Sequence, residues 1–408
     1  MNGSGNGSRV LIYSHDTFGL GHLRRCRTIA HALVERHQDI SVLILSGSPI
    51  IGSFDFRARV DFVRIPGVIK LRNGEYTPLN LHIDIEKTLA MRSSIIKHTA
   101  ETFDPDVLIV DKEPLGLRGE VEETLHMLKE RGTRLVLGLR DVLDEPASLA
   151  PEWHRKRAVP ALRDLYDEIW IYGLPQIWEP LTEIKLPKSV RRKITYTGYL
   201  PRSVSSQLPK RGTPDITKRP YVLVTTGGGG DGEDLIEWVL RTYESDEMLP
   251  YPALLVLGPF MQPERQADYM ERTSRLERVE AITFDPHLEI LEKNAAGVIS
   301  MGGYNTFCEV LSMNKRAIMV PRTVPRREQY IRVARAQELG VVGMLVDDGK
   351  FDTRSMGDAL RALPSQKRPS EIVIPGLLEG LVNVNRLIDP WITPAEQDAP
   401  QTVVQHRA

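Results

Sequence analysis

The sequence predicts an α/β protein of two doubly wound domains, and three observations carry that reading. Short apolar runs, of the kind buried between two helix layers, alternate with stretches of helical spacing through most of the chain. At three points such a run passes through glycine into a helix: 10–13 into Gly19 and Gly21, 221–226 into Gly227 to Gly232, and 295–300 into Gly302 and Gly303. Residues 201–220, mostly Pro, Ser, Lys, Arg and Thr, read as a linker that divides a chain of 408 residues into two parts, each long enough for its own core.

Residues 1–8 are Gly, Ser and Asn around one Met and one more Gly-Ser pair, a leader expected to be disordered, and the first domain is expected over 9–200. Strand 10–13 leads to a helix whose inner face carries Ile29, Ala30 and Leu33, with Gly21 in the turn and His22 at the helix start. A helix N-terminus disfavours imidazolium, so His22 is expected to be neutral near pH 7 and able to act as a base, or else simply to cap the helix. Arg24, Arg25 and Arg27 suit an anion, or a solvated helix face. Strands are expected at 41–45 and 60–65, a long loop at 70–80, a helix at 84–103 and a strand at 107–110. That strand delivers Asp111, Lys112 and Glu113 to its carboxyl end, where open α/β sheets bind ligands; a charged turn capping the next helix is the alternative. Strand 135–139 brings Arg140 and Asp141 to the same edge, as ligand contacts or as an ion pair holding the loop. A helix over 152–166 and strands at 168–172 and 194–197 complete the domain.

After a linker over 201–219, the second domain is expected over 220–372. Four consecutive glycines, 227–230, cost entropy unless backbone passes close to a ligand. Strands at 253–257 and 279–283 follow, then Phe284 in a short loop. Past Gly302 and Gly303, the helix start carries Asn305 and Thr306; backbone N–H groups and the helix dipole there suit a diphosphate. Glu309, six residues beyond Gly303, lies far enough along to meet a sugar hydroxyl. Strand 317–320 ends at Pro321, and the polar pair Glu328 and Gln329 opens another helix.

This constellation resembles the GT-B glycosyltransferases, most closely glycosyltransferase family 28 of the peptidoglycan N-acetylglucosaminyltransferase type. The resemblance implies two Rossmann-like domains facing a central cleft and transfer of a sugar from a nucleotide-sugar donor, most often a UDP-sugar, to a hydroxyl acceptor without a metal. It assigns Gly228, Gly229, Gly302, Gly303, Asn305 and Thr306 to the donor phosphates, Phe284 to the base, Glu309 to the ribose, and Glu328 and Gln329 to the sugar. The pair Glu-Gln departs from the Gln-Gln of the peptidoglycan enzyme and looks like the acidic-Gln pair of plant and antibiotic glycosyltransferases. His22 becomes the acceptor-activating base, with Gly21, Arg24, Lys112, Glu113 and Arg140 on the acceptor side. A helix over 373–390 would cross back onto the first domain, followed by a flexible tail over 391–408. The segment from Gly19 to Cys26 also resembles the UDP-sugar hydrolase of pseudaminic acid synthesis, where the matching His would activate water. A UDP-sugar 2-epimerase or a non-catalytic nucleotide-sugar-binding protein are further alternatives on the same fold.

Composition sets the remaining bounds. A net charge of -1 with 26% charged residues gives no footprint for nucleic acid. Two cysteines, Cys26 and Cys308, both in apolar helical settings, make no disulfide framework and fit a cytoplasmic protein. The ten histidines are scattered without metal-ligand spacing, so neither metal nor cofactor is expected. The partners implied are the donor and an acceptor that is lipid-linked, a polysaccharide or a small molecule, with peripheral membrane contact through patches on the first domain.

Overall fold

The computed structural model describes residues 7–16, 21–71, 75–204, 214–228, 230–285 and 287–392. Residues 1–6 of the expected leader, the glycine turn at Gly19, the middle of the linker, Gly229 and the expected tail beyond 392 lie outside these residues.

The first sheet has seven parallel strands in the order β3-β2-β1-β6-β7-β8-β9. They are β1 (Ser8–Ser14), β2 (Ile40–Ser46), β3 (Val60–Arg64), β6 (Val107–Asp111), β7 (Arg134–Arg140), β8 (Glu168–Tyr172) and β9 (Ile194–Tyr196). Between β3 and β6, β4 (Val68–Lys70) and β5 (Tyr76–Pro78) form a separate antiparallel pair where the sequence suggested only a loop. The helices are α1 (Gly21–Arg36), α2 (Ile85–Phe103), α3 (Glu122–Glu130), α4 (Pro146–Arg155), α5 (Ala158–Asp164) and α6 (Lys188–Arg191). Asp84 starts α2 by accepting from the N–H groups of Glu86 at 2.8 Å and Lys87 at 3.0 Å. The single helix expected over 152–166 is two, because Arg157 takes the left-handed conformation at φ 51° and breaks the run between α4 and α5.

The second sheet has six parallel strands in the order β12-β11-β10-β13-β14-β15. These are β10 (Val222–Thr225), β11 (Ala253–Val256), β12 (Val279–Ile282), β13 (Gly297–Ser300), β14 (Ala317–Met319) and β15 (Gly343–Met344). Its helices are α7 (Glu233–Ser245), α8 (Pro263–Thr273), α9 (Leu288–Asn294), α10 (Tyr304–Ser312), α11 (Glu328–Glu338) and α12 (Thr353–Ala362). Helices cover both faces of each sheet, so the middles of the central strands β1, β6, β10 and β13 are apolar and buried.

The last helix, α13 (Gly380–Ile392), packs on the first sheet's helices: Trp391 stacks on Trp170 at 6.2 Å, and Asn383 Nδ2 donates to the Thr197 carbonyl at 2.8 Å. Ser8, assigned to the leader by the sequence, instead begins β1, and its hydroxyl donates to the Ile392 carbonyl at 2.7 Å. The two chain segments that pass between the sheets hydrogen-bond to one another, Tyr199 N to Leu377 O at 2.8 Å and Gly380 N to Tyr199 O at 3.1 Å. Around them Tyr199 meets Tyr304 at 6.0 Å and Phe307 at 5.2 Å, making an apolar seam between the domains.

Candidate active site

The α1 N-terminus meets the end of β6. Asp111, the last residue of a buried apolar strand, receives both Nε and Nη2 of Arg25, at 2.8 and 2.7 Å, and the ring of His22 through Nδ1. An ionised carboxylate only accepts, so the bond to Asp111 calls for the Nδ1–H tautomer, which leaves Nε2 its lone pair; Arg25 Nη2 also stands 3.0 Å from Nδ1. Burial pulls His22 down to about 4, although Asp111 works the other way, so the ring is neutral at pH 7. Burial alone would raise the Asp111 carboxyl, but Arg25 and His22 together hold it well below the ordinary carboxylate range. Arg25 is 1% exposed and therefore belongs to this cluster, not to a solvated helix face. Asp16, just past β1, ties that strand to α1 and β2 by accepting from Leu23 N at 3.1 Å and the Ser46 hydroxyl at 2.6 Å.

Across the cleft, β13 passes through Gly302 into α10. Gly302 has φ 73°, and a Cβ there would run into the Val333 side chain, so glycine is required on both counts. Gly303 precedes the first residue of α10 and supplies no side-chain cap, so the first-turn N–H groups of that helix have no partner within it. Arg332 on α11 locks the turn in place: it donates to the Gly302 carbonyl at 3.1 Å and forks onto Asp141 of the first domain at 2.7 and 2.6 Å. Asn305 ties α10 to α1 by donating to the Gly21 carbonyl at 2.9 Å, while Arg202 donates to its Oδ1 at 2.5 Å. Thr306 is half-buried on the same turn.

The structure places the other donor-side candidates as follows. Glu309 is 1% exposed and ion-paired with Arg24, which reaches it from the first domain. A cavity of ≈ 540 Å³ opens beside them between the domains, lined by Arg24, Arg27, Arg202, Glu289 and Glu309 among others. Glu328 is buried and accepts from Arg322 Nη2 at 2.5 Å; the Gln329 side-chain oxygen accepts from Arg322 N at 3.1 Å. Gly228 accepts from Phe260 N at 2.9 Å in the turn before α7, and Gly227 at φ 69° needs glycine. Thr225 Oγ1 accepts from Gly227 N at 3.3 Å, and the Thr226 hydroxyl donates to the Leu257 carbonyl at 2.8 Å. Phe284 follows β12 and is half-buried.

On the first-domain side, Lys112 takes φ 71°, and burial, reinforced by Arg140, Arg326 and Lys156, lowers its ammonium to about 8 against the pull of Glu113. Glu113 accepts from Lys156 at 2.8 Å and lines a cavity of ≈ 310 Å³ with His15, Tyr76, Leu117 and Lys156. His15 stands edge-on to His22 at 5.7 Å, linking that cavity to the His22 ring. Arg140 ends β7 in the cleft. Arg202, Arg332 and the partnership of Asp111 with His22 were not visible as site features in the sequence; the one signal was an acidic residue closing an otherwise apolar strand.

Among the described residues no cluster of His, Cys, Asp and Glu could hold a metal ion, and no helix is long and apolar enough to cross a membrane. Residues 222–368 match the model of the glycosyltransferase family 28 C-terminal domain. A search of curated protein sequences finds no match. Among solved structures, the chain is similar to a UDP-glucosyltransferase from Polygonum tinctorium that glucosylates indoxyl, with TM-score 0.63 and 14% identity over 96% of this chain and 100% of that one. It is similar to the calicheamicin glycosyltransferase CalG4 (TM-score 0.57, 14% identity, 94% and 98% covered). A protein of Listeria monocytogenes described as a UDP-N-acetylglucosamine 2-epimerase shares the fold too (TM-score 0.58, 12% identity, 94% and 95% covered).

Proposed function

We propose that this chain, which has the GT-B glycosyltransferase fold and a family 28 C-terminal domain over residues 222–368, transfers a sugar from a UDP-sugar to an acceptor hydroxyl. The observation that carries the proposal is the bond from Asn305 to the Gly21 carbonyl, which joins the first turn of α10, suited to the donor diphosphate, to the residue before His22. The α10 N–H groups and the Gly302 turn would hold the diphosphate and take up the charge that grows on it as the glycosidic bond breaks, which needs no metal. Glu309 would take the ribose hydroxyls once Arg24 gives way, and Glu328 and Gln329 would take the sugar. The acceptor would enter over Glu113 and His15 and lose its proton to His22 Nε2, with Asp111 stabilising the imidazolium that forms.

Thermal shift against UDP, dTDP, GDP, ADP and CDP, with and without magnesium, tests this. A diphosphate at about 100 times its Kd adds close to 2.7 kcal/mol of stability. UDP is expected to stabilise the chain in either condition, and a chain indifferent to all five refutes the reading. Free sugar released from UDP-sugar at a useful rate without acceptor would turn the same base into one that activates water.

A further inference from the structure

Arg140 stands out from the other cations of the cleft. Arg25, Arg322, Arg326 and Arg332 each hold a carboxylate, whereas the Arg140 guanidinium makes no hydrogen bond or ion pair among the described residues, and its Nε is buried. Across from it Glu328 uses one oxygen on Arg322, while its other oxygen, Oε2, is buried without a partner. Glu328 and Arg332 are four apart on α11 and so lie one turn apart on one face. Arg332 is bolted to Asp141, the residue after Arg140, so the bolt brings Arg140 and Glu328 near each other from opposite domains. Each is the strongest charge acting on the other, yet they form no ion pair. Arg140 Nε and Glu328 Oε2 are thus two buried atoms of oppositely charged groups, each without a hydrogen-bond partner, near the Gly302 turn that Arg332 also holds.

We infer that Arg140 of the first domain grips the transferred sugar opposite Glu328, and that this sugar is an uncharged one with adjacent hydroxyls. The inference rests on the donor-binding reading above and moves Arg140 from the acceptor to the donor. A hydroxyl can donate to Glu328 and accept from Arg140, so a vicinal pair bridges both without leaving a charge unmatched. A sugar carboxylate would face Glu328, and a sugar ammonium would face Arg140. Because the grip needs both domains, the sugar is held only when the cleft is closed, whereas the nucleoside diphosphate is held by the second domain alone.

Calorimetric titration with UDP, UDP-glucose, UDP-N-acetylglucosamine and UDP-glucuronate on the full chain, its Arg140→Ala form and its Arg140→Lys form tests this. Expected for Arg140→Ala is UDP affinity within about twofold of the parent, and about a tenfold loss of the extra affinity that a neutral sugar confers. Arg140→Lys keeps the charge without the planar fork and should recover part of that loss. Retained UDP binding shows that the variants fold. An unchanged ratio of sugar-nucleotide to UDP affinity in Arg140→Ala overturns the inference, as does an equal loss of both or a parent that prefers UDP-glucuronate. A parent that binds neither UDP nor any conjugate removes the donor reading itself, and the inference with it.

Discussion

Replacing His22 by Ala should abolish turnover while sparing the fold. The ring donates a hydrogen bond from Nδ1 to Asp111, but Asp111 keeps both bonds to Arg25, so no buried charge is orphaned by the change. The stability cost is then about one hydrogen bond, on the order of 1 kcal/mol. Loss of a general base lowers kcat roughly 100- to 10,000-fold, with UDP affinity unchanged. The pH profile makes the claim sharper. With His22 at about 4 in the folded chain, the proportion of neutral base at pH 5.5 is about 97%, against roughly a tenth for an ordinary histidine. The base must be neutral to act, so activity should fall only as pH drops toward 4, and the parent should keep most of its turnover at pH 5.5. The assay is initial-rate release of UDP at saturating donor across pH 4.5 to 8, on the parent and the variant. An acid limb centred between 6 and 7 in the parent, or a variant retaining more than about a tenth of parental kcat, would refute the assignment of His22 as base.

Asp111→Asn should be worse for stability than His22→Ala, by about 3–5 kcal/mol, because Arg25 would be left buried without its counter-charge; urea unfolding of the two variants side by side checks this. Glu309→Ala should weaken UDP by about 1.5–3 kcal/mol, read by calorimetry, and equal affinity would remove Glu309 from the ribose site. Arg332→Ala leaves Asp141, 1% exposed, unpaired and should cost about 3–5 kcal/mol in urea unfolding. Burial raises Asp16 from 3.8 to about 6, so between these values the folded chain binds more protons than the unfolded one, and this residue's contribution shrinks as pH rises through 6. Asp16→Asn should flatten the fall in the urea midpoint from pH 4 to pH 7; an unchanged slope would show that the carboxyl titrates normally.

Much of the fold could be read because the central strands are buried on both faces and so appear as unbroken apolar runs, as in VLIVD of β6. The β4 and β5 pair could not, since each is three residues long and neither is apolar enough to stand out. The break between α4 and α5 was hidden because it rests on a left-handed Arg157 and not on Gly or Pro. For the candidate site, glycines and helix starts were legible as local patterns: Gly302 needs its φ, and its Cα hydrogen faces a side chain that allows nothing larger. The long-range ion pairs were not. Arg24 and Glu309 are 285 residues apart and Arg332 and Asp141 are 191 apart, separations at which sequence spacing carries no information on contact. Nothing near Arg24 in the sequence therefore pointed to its partner, Glu309.

The two chain segments crossing between the sheets, stitched through Tyr199, Leu377 and Gly380, make the second domain an insertion whose entry and exit share one edge. Entry and exit thus form one junction. A change of backbone at Tyr199 is felt at Leu377 and Gly380 through the bonds that join them, and so reaches both chain ends of the second domain at once.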